Sequence, residues 1–66
     1  MRDKLIIWPP EPAAPRLHLE IETLKDGVFF QIWSNGHPMQ TFMMPFEIAA
    51  DVGRVLVRHG TEGYST

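Results

Sequence analysis

The sequence contains no cysteine, so neither a disulfide nor a thiolate metal site can stabilise the protein. A chain of 66 residues can form one domain, and a domain of this size buries only about 60% of the surface of its unfolded chain. Domains this small usually need an added source of stability. Without disulfides, the chain must rely on dense packing of a small core or on association with another chain. The absence of cysteine also fits a reducing compartment.

The sequence also lacks any apolar run close to the roughly 20 residues that span a bilayer. Arg2 and Lys4 precede the apolar block 5–8 as they would in a signal peptide. This block is too short for that role, and Pro9 and Pro10 follow it in place of a cleavage site. We therefore predict a cytoplasmic protein without membrane contact.

Neither basic nor acidic residues dominate the sequence. Six basic and eight acidic residues, spread thinly, give a formal net charge of −2, so the dense basic patch that neutralises nucleic-acid phosphates is missing. The three histidines fall on different predicted elements without ligand spacing, and no Gly-rich phosphate loop, nucleophile elbow or acid/base pair occurs. We predict a protein that is not an enzyme and that holds no metal or cofactor.

The chain is organised around residues 17–43, which predict three short strands joined by two tight turns. Residues 16–22 alternate apolar and polar side chains, and Asp26-Gly27 and Asn35-Gly36 are preferred dipeptides of two-residue hairpin loops. Both glycines are expected to have positive φ. Pro38 has no N–H to donate, so the third strand is expected at an edge of the sheet.

Hydrophobic segregation selects the strand registers. A two-residue loop at 26–27 pairs Ile21 with Ile32, whereas a three-residue loop pairs Ile21 with Gln31. A slip of one residue moves all the apolar side chains of a strand to the opposite face. Because only the two-residue loop keeps the apolar residues of both strands on one face, we predict the shorter loop. A two-residue loop at 35–36 likewise pairs Phe30 with Thr41. The face expected to cover a core then carries these apolar residues: Leu19, Ile21, Val28, Phe30, Ile32, Met39 and Met43.

A helix is predicted from Pro45 to His59, with Gly60 ending it in a left-handed conformation. Its apolar stripe is expected to cover Phe30 and Ile32, and it consists of Ile48, Val52, Val55, Leu56 and His59. Small residues at 49, 50 and 53 leave two alternatives open: close approach of the helix to its own sheet, or a helix–helix contact in a dimer.

The predicted fold class is α+β, a three-stranded antiparallel meander (βββ) with one C-terminal helix packed on one face. The predicted organisation is an N-terminal apolar segment and Pro-rich connector (1–15), a βββα domain (16–60) and a flexible tail (61–66).

The outer face of this sheet is the predicted site. The predicted register places Phe29 directly opposite Phe42, and a monomer seldom leaves such an aromatic cluster bare. Residues 5–8 could cover it as a lid, or a partner or second copy could bind it, and strand addition by Leu5–Trp8 is one route to a dimer. The predicted partner-binding residues are Phe29, Trp33, Phe42, Met44 and Trp8.

We predict a small non-catalytic binding or regulatory domain that acts through protein–protein contacts as a homodimer, for example a phage-type inhibitor or modulator. The alternative is a nucleic-acid-binding module that stacks bases on the aromatic sheet face. Glu20 and Glu22 on that face disfavour the alternative, because they would repel phosphate.

Overall fold

The computed structural model of the protein describes residues 1–10 and 15–65. Its elements are the strands β1 (Arg2–Trp8), β2 (Leu17–Thr23), β3 (Val28–Ser34) and β4 (His37–Met44) and the helix α1 (Phe46–Ser65). The strands form one antiparallel sheet in the order β1-β2-β3-β4. The α+β class is confirmed, and so is the edge position of the strand that carries Pro38. The predicted number of three strands is wrong.

The fourth strand is the N-terminal segment, which pairs with β2 so that Leu5 lies opposite Leu19. The amide of Thr23 also donates to the carbonyl of Met1 at 3.0 Å. The main-chain groups at the edge of β2 form hydrogen bonds with any residue type, polar or apolar. The apolar block 5–8 therefore shows only part of the seven-residue strand. Residues 5–8 therefore extend the sheet of their own chain and do not cover a face as a lid. Of the Pro-rich connector, residues 11–14 lie outside the described residues.

The first hairpin closes one residue earlier than predicted. The amide of Leu24 donates to the carbonyl of Gly27 at 2.8 Å, so the loop is 25–26 and Ile21 pairs with Phe30. The predicted pairing is wrong by two residues. Because an even shift keeps every side chain on its face, the predicted grouping of Ile21, Phe30 and Ile32 on one face is correct.

Gly27 lies outside the turn and does not have positive φ, contrary to prediction. It is glycine for a different reason: a Cβ atom there would overlap the main-chain carbonyl of Met44 and lie 3.5 Å from the Cα of Pro45. Among the described residues, Gly27 alone is buried. The end of β4 is therefore held against the first hairpin by main-chain contact.

The second hairpin has the predicted turn but a different register beyond it. Asn35 and Gly36 have φ of 52° and 80°, as in a type I′ turn, so the prediction for Gly36 is confirmed. Trp33 then pairs with Pro38, whereas Ile32 pairs with Gln40, so residue 39 is a β-bulge. A bulge next to a strand proline is common, because the ladder is interrupted there anyway.

This one-residue bulge moves every later side chain of β4 to the face opposite the predicted one. Phe42 lies opposite Phe30, and Met43 lies opposite Phe29. The predicted pairing of Phe29 with Phe42 is therefore wrong.

The helix α1 continues past its predicted end. At its N-terminus, the carbonyl of Pro45 accepts a hydrogen bond of 3.0 Å from the amide of Ala49, so Pro45 is the N-cap residue. Gly60 does not end it, and residues 61–65, predicted as a flexible tail, are helical. Glycine permits a left-handed conformation but does not impose one.

The predicted packing of the helix on one face of the sheet is also wrong in this chain. The contacts between elements come from adjacent strands, and α1 contributes at most marginal contacts to any strand. Ile48 and Leu56 are 47% and 66% exposed, and a Cβ atom at Gly53 would meet nothing within 4 Å. Only Pro45 separates β4 from α1, so the chain has no loop in which to reverse and lay the helix back on the sheet.

Candidate interaction surfaces

The strand registers divide the sheet into two chemically different faces. We call one the apolar face; its members are Leu5, Trp8, Leu17, Leu19, Ile21, Val28, Phe30, Ile32, Phe42 and Met44, with polar residues 3, 23, 34, 37 and 40 at its margins. We call the other the mixed face; its members are Arg2, Lys4, Ile6, His18, Glu20, Glu22, Phe29, Gln31, Trp33, Pro38, Thr41 and Met43.

A stacked aromatic pair lies near the centre of the apolar face. The ring centroids of Phe30 and Phe42 are 5.0 Å apart and their planes differ by 13°. Such a pair contributes about 0.5–1.5 kcal/mol beyond the area that it buries. Phe42 nevertheless stays 39% exposed and Leu5 49% exposed. The apolar face is therefore ordered but uncovered.

Side chains of the mixed face form a cation–π contact and an ion pair. The Nζ of Lys4 lies 5.2 Å from the centroid of the Trp33 ring, a cation–π contact. Arg2 Nη1 lies 3.9 Å from Glu20 Oε1. The indole N–H of Trp33 is enclosed and has no hydrogen-bond partner among the described residues. This face thus combines aromatic side chains with charges of both signs.

The predicted site residues do not form one site. Phe29 and Trp33 belong to the mixed face, while Phe42 and Met44 belong to the apolar face. Trp8 pairs with Leu17 at the end of β1 and is 64% exposed. Sequence reasoning missed the division because it assumed a regular β4. Pro38, which disfavours a regular ladder, is the signal that could have suggested the bulge.

The helix α1 presents a third uncovered surface. At about 100° per residue, its charged side chains fall within a sector of about 80°: Glu47, Asp51, Arg54, Arg58 and Glu62. Arg54 forms an exposed ion pair with Asp51 inside this sector. In projection down the helix axis, the apolar residues occupy about 200° of the remaining surface, with Val55 at one limit and Val57 at the other.

A helix with so wide an apolar surface is usually covered on more than one side. In this chain it is bare: Val55, Leu56 and Val57 are 43%, 66% and 69% exposed. The predicted stripe through Ile48, Val52 and Val55 is only part of that surface.

The described residues form surfaces and not cavities. No pocket occurs in that part of the chain, and its histidines and carboxylates nowhere cluster as a set of three that could hold a metal ion. No helix of the described ranges is both long and apolar enough to cross a membrane. What the arrangement offers chemically is contact area: an apolar sheet face, an apolar helix and a mixed sheet face.

Comparison of the chain with protein-family models, with curated proteins and with solved structures gives no match.

Proposed function

We propose that the protein is a small non-catalytic binding domain that acts through protein–protein contacts as a homodimer. One observation carries the proposal: the described part of the chain buries no side chain, although one sheet face and most of the helix surface are apolar. A folded protein of this composition buries such surface because burial is the main favourable term in folding. In our proposal, another protein molecule supplies this cover.

The dimensions of the chain support this. Its radius of gyration is 13.3 Å, whereas a compact chain of this length has about 11 Å. It exposes 5263 Å², whereas a compact monomer of its mass exposes about 4,300 Å². The excess, about 1,000 Å², resembles the roughly 800 Å² that each partner buries in a standard interface.

The mixed face is the surface that we propose for a target protein. Covering the apolar face in a dimer leaves Phe29, Trp33 and Met43 accessible on the opposite side of the sheet. Aromatic residues, methionine and arginine are the side chains enriched in protein interfaces. The regulatory effect on the target and the cytoplasmic location remain predictions from the sequence.

Nucleic-acid binding is the weaker candidate for this face. Arg2 and Lys4 are its basic residues, and Arg2 is already paired with Glu20. Glu20 and Glu22 add two carboxylates to the same surface, and they oppose the approach of phosphate. A nucleic-acid complex would also weaken steeply as salt is raised, whereas an apolar protein contact would respond little.

Sedimentation equilibrium of the full chain tests the homodimer directly. We expect twice the mass of the chain and a melting temperature that rises with protein concentration, because association stabilises the folded state. Phe42→Asp, on the apolar face, should reduce the mass to that of one chain. Phe29→Asp, on the mixed face, is the matched control and should stay dimeric.

A monomeric wild-type chain whose melting temperature is independent of concentration would refute the proposed homodimer. Equal loss of mass in both variants would refute the assignment of the dimer interface to the apolar face.

A further inference from the structure

We infer that the homodimer forms by exchange of helices: α1 of each copy lies on the apolar face of the other copy's sheet. The inference rests on the proposed homodimer and adds its geometry. The occupant of the apolar face is then one defined segment, residues 46–65 of a second copy.

The junction between sheet and helix keeps α1 away from its own sheet. The carbonyl of Met44 lies against Gly27, where a Cβ atom would overlap it. Pro45, the single residue between β4 and α1, has a φ that its ring fixes. Most connections between elements use about 4–6 residues, so this junction is short and stiff. It directs the helix past the end of the sheet.

The dimensions agree with that direction. Four strands about 4.8 Å apart and about 23 Å long cannot fill the two longer extents of the chain, 36 and 34 Å. The helix therefore extends beyond the margin of the sheet. At about 1.5 Å per residue it is about 30 Å long, long enough to cross the whole apolar face of a second sheet.

The chemistry of the two surfaces matches. Four bulky residues of α1 fall within about 100° of its circumference and form one stripe: Ile48, Val52, Val55 and Leu56. The centre of the apolar face offers aliphatic and aromatic side chains of similar breadth: Ile21, Phe30, Ile32 and Phe42. The centre of the charged sector lies about 110° from the centre of this stripe, so most of the charged side chains would stay in water.

A second copy fits better than an unrelated protein because the chain carries both halves of the contact. A two-fold axis places each helix on the other sheet, so one operation covers the stripe of both helices and both apolar faces. Exchange of an identical element is a low-cost route to a dimer. The excess exposed area is also of the size that one partner in a stable dimer buries.

Because the chain has no cysteine, engineered disulfides can test the exchange. One chain carries Leu56→Cys in the helix; a second, distinguished by a mass tag, carries Ile32→Cys on the apolar face. The two are unfolded, mixed, refolded and oxidised. We expect a disulfide-linked heterodimer, because the exchange lays the helix stripe on the apolar face and a disulfide forms only where Cα atoms approach to about 4.4–6.8 Å. Val52→Cys with Phe42→Cys is the second pair, in case either first variant fails to fold.

Two controls exclude chance collisions. Leu56→Cys with Gln31→Cys places the second thiol on the mixed face, next to the tested position. Glu47→Cys with Ile32→Cys places the first thiol in the charged sector of the helix. Neither pair should link.

The outcomes separate the inference from the homodimer on which it rests. A chain carrying both Leu56→Cys and Ile32→Cys that oxidises within itself, at the mass of one chain, would show the helix on its own sheet and overturn the exchange. A wild-type dimer in which neither pair links, while Gly53→Cys chains link to each other, would keep the homodimer and overturn the exchange in favour of helix–helix packing. A wild-type chain that is monomeric in sedimentation would remove both.

Discussion

The sheet and the helix are both amphipathic, yet among the described residues the strands pack against one another while the helix packs at most marginally on any strand. Every residue of β3 is half-buried between β2 and β4, whereas most of α1 is exposed. A strand must pair to satisfy its main-chain groups, and pairing brings side chains together. A helix satisfies those groups internally and can form without a neighbour. Isolated helices are nevertheless marginal in water, which is one reason for proposing that a second copy covers this helix.

The largest expected effect separates the two faces of the sheet. Phe30→Ala removes a stacked ring from the apolar face and should lower the free energy of unfolding by about 3–5 kcal/mol once that face is covered. Phe29→Ala, one residue away on the mixed face, should cost about 1 kcal/mol. Urea unfolding of both variants at one protein concentration measures the difference. Equal costs would mean that the apolar face is not covered in the working state.

The second effect compares a glycine in the sheet with a glycine in the helix. Gly27→Ala forces a methyl group against the Met44 carbonyl, and we expect a loss of about 1–3 kcal/mol. Gly60→Ala meets open space and should raise stability by about 1 kcal/mol through helix propensity. Thermal unfolding of the two variants should show shifts of opposite sign. A tolerated Gly27→Ala would show that the junction does not hold the helix in place.

The third effect concerns the hairpin turn. Gly36 has a φ of 80°, so Gly36→Val should cost about 1–2 kcal/mol because β-carbons are disfavoured there. Glu47→Gln on the exposed helix should stay within about 0.5 kcal/mol. The denaturant midpoints of both variants measure these two stability costs. Indistinguishable midpoints would argue that the turn is open.

The smallest effect belongs to the exposed ion pair of the helix. The side chains of Asp51 and Arg54 are 61% and 72% exposed, so Asp51→Ala should cost no more than about 0.5 kcal/mol. High salt should remove the difference between variant and wild type by screening the pair. A cost of several kcal/mol that persists at high salt would place this side of the helix inside an interface.

The sequence allowed the candidate site to be predicted only in part. From the sequence we predict that Phe29, Trp33, Phe42 and Met44 belong to one interaction surface, but the bulge at residue 39 divides them between two faces. Local patterns predict alternation along a strand. They do not show where one extra residue interrupts it, although a single residue inverts every later side chain.

Local sequence patterns are sufficient to predict the elements whose causes are local. Alternation in residues 16–22, the Asn35-Gly36 turn, the edge position of Pro38 and the helix after Pro45 all follow from a few neighbouring residues. Tertiary structure decided what depends on distant contacts: the pairing of β1 with β2, the need for glycine at 27 and the position of α1. The physical reason is that backbone conformation is chosen within a few residues, whereas burial depends on which surfaces meet. Within the described ranges of this protein, α1 makes at most marginal contact with the strands, so most of its apolar surface stays exposed.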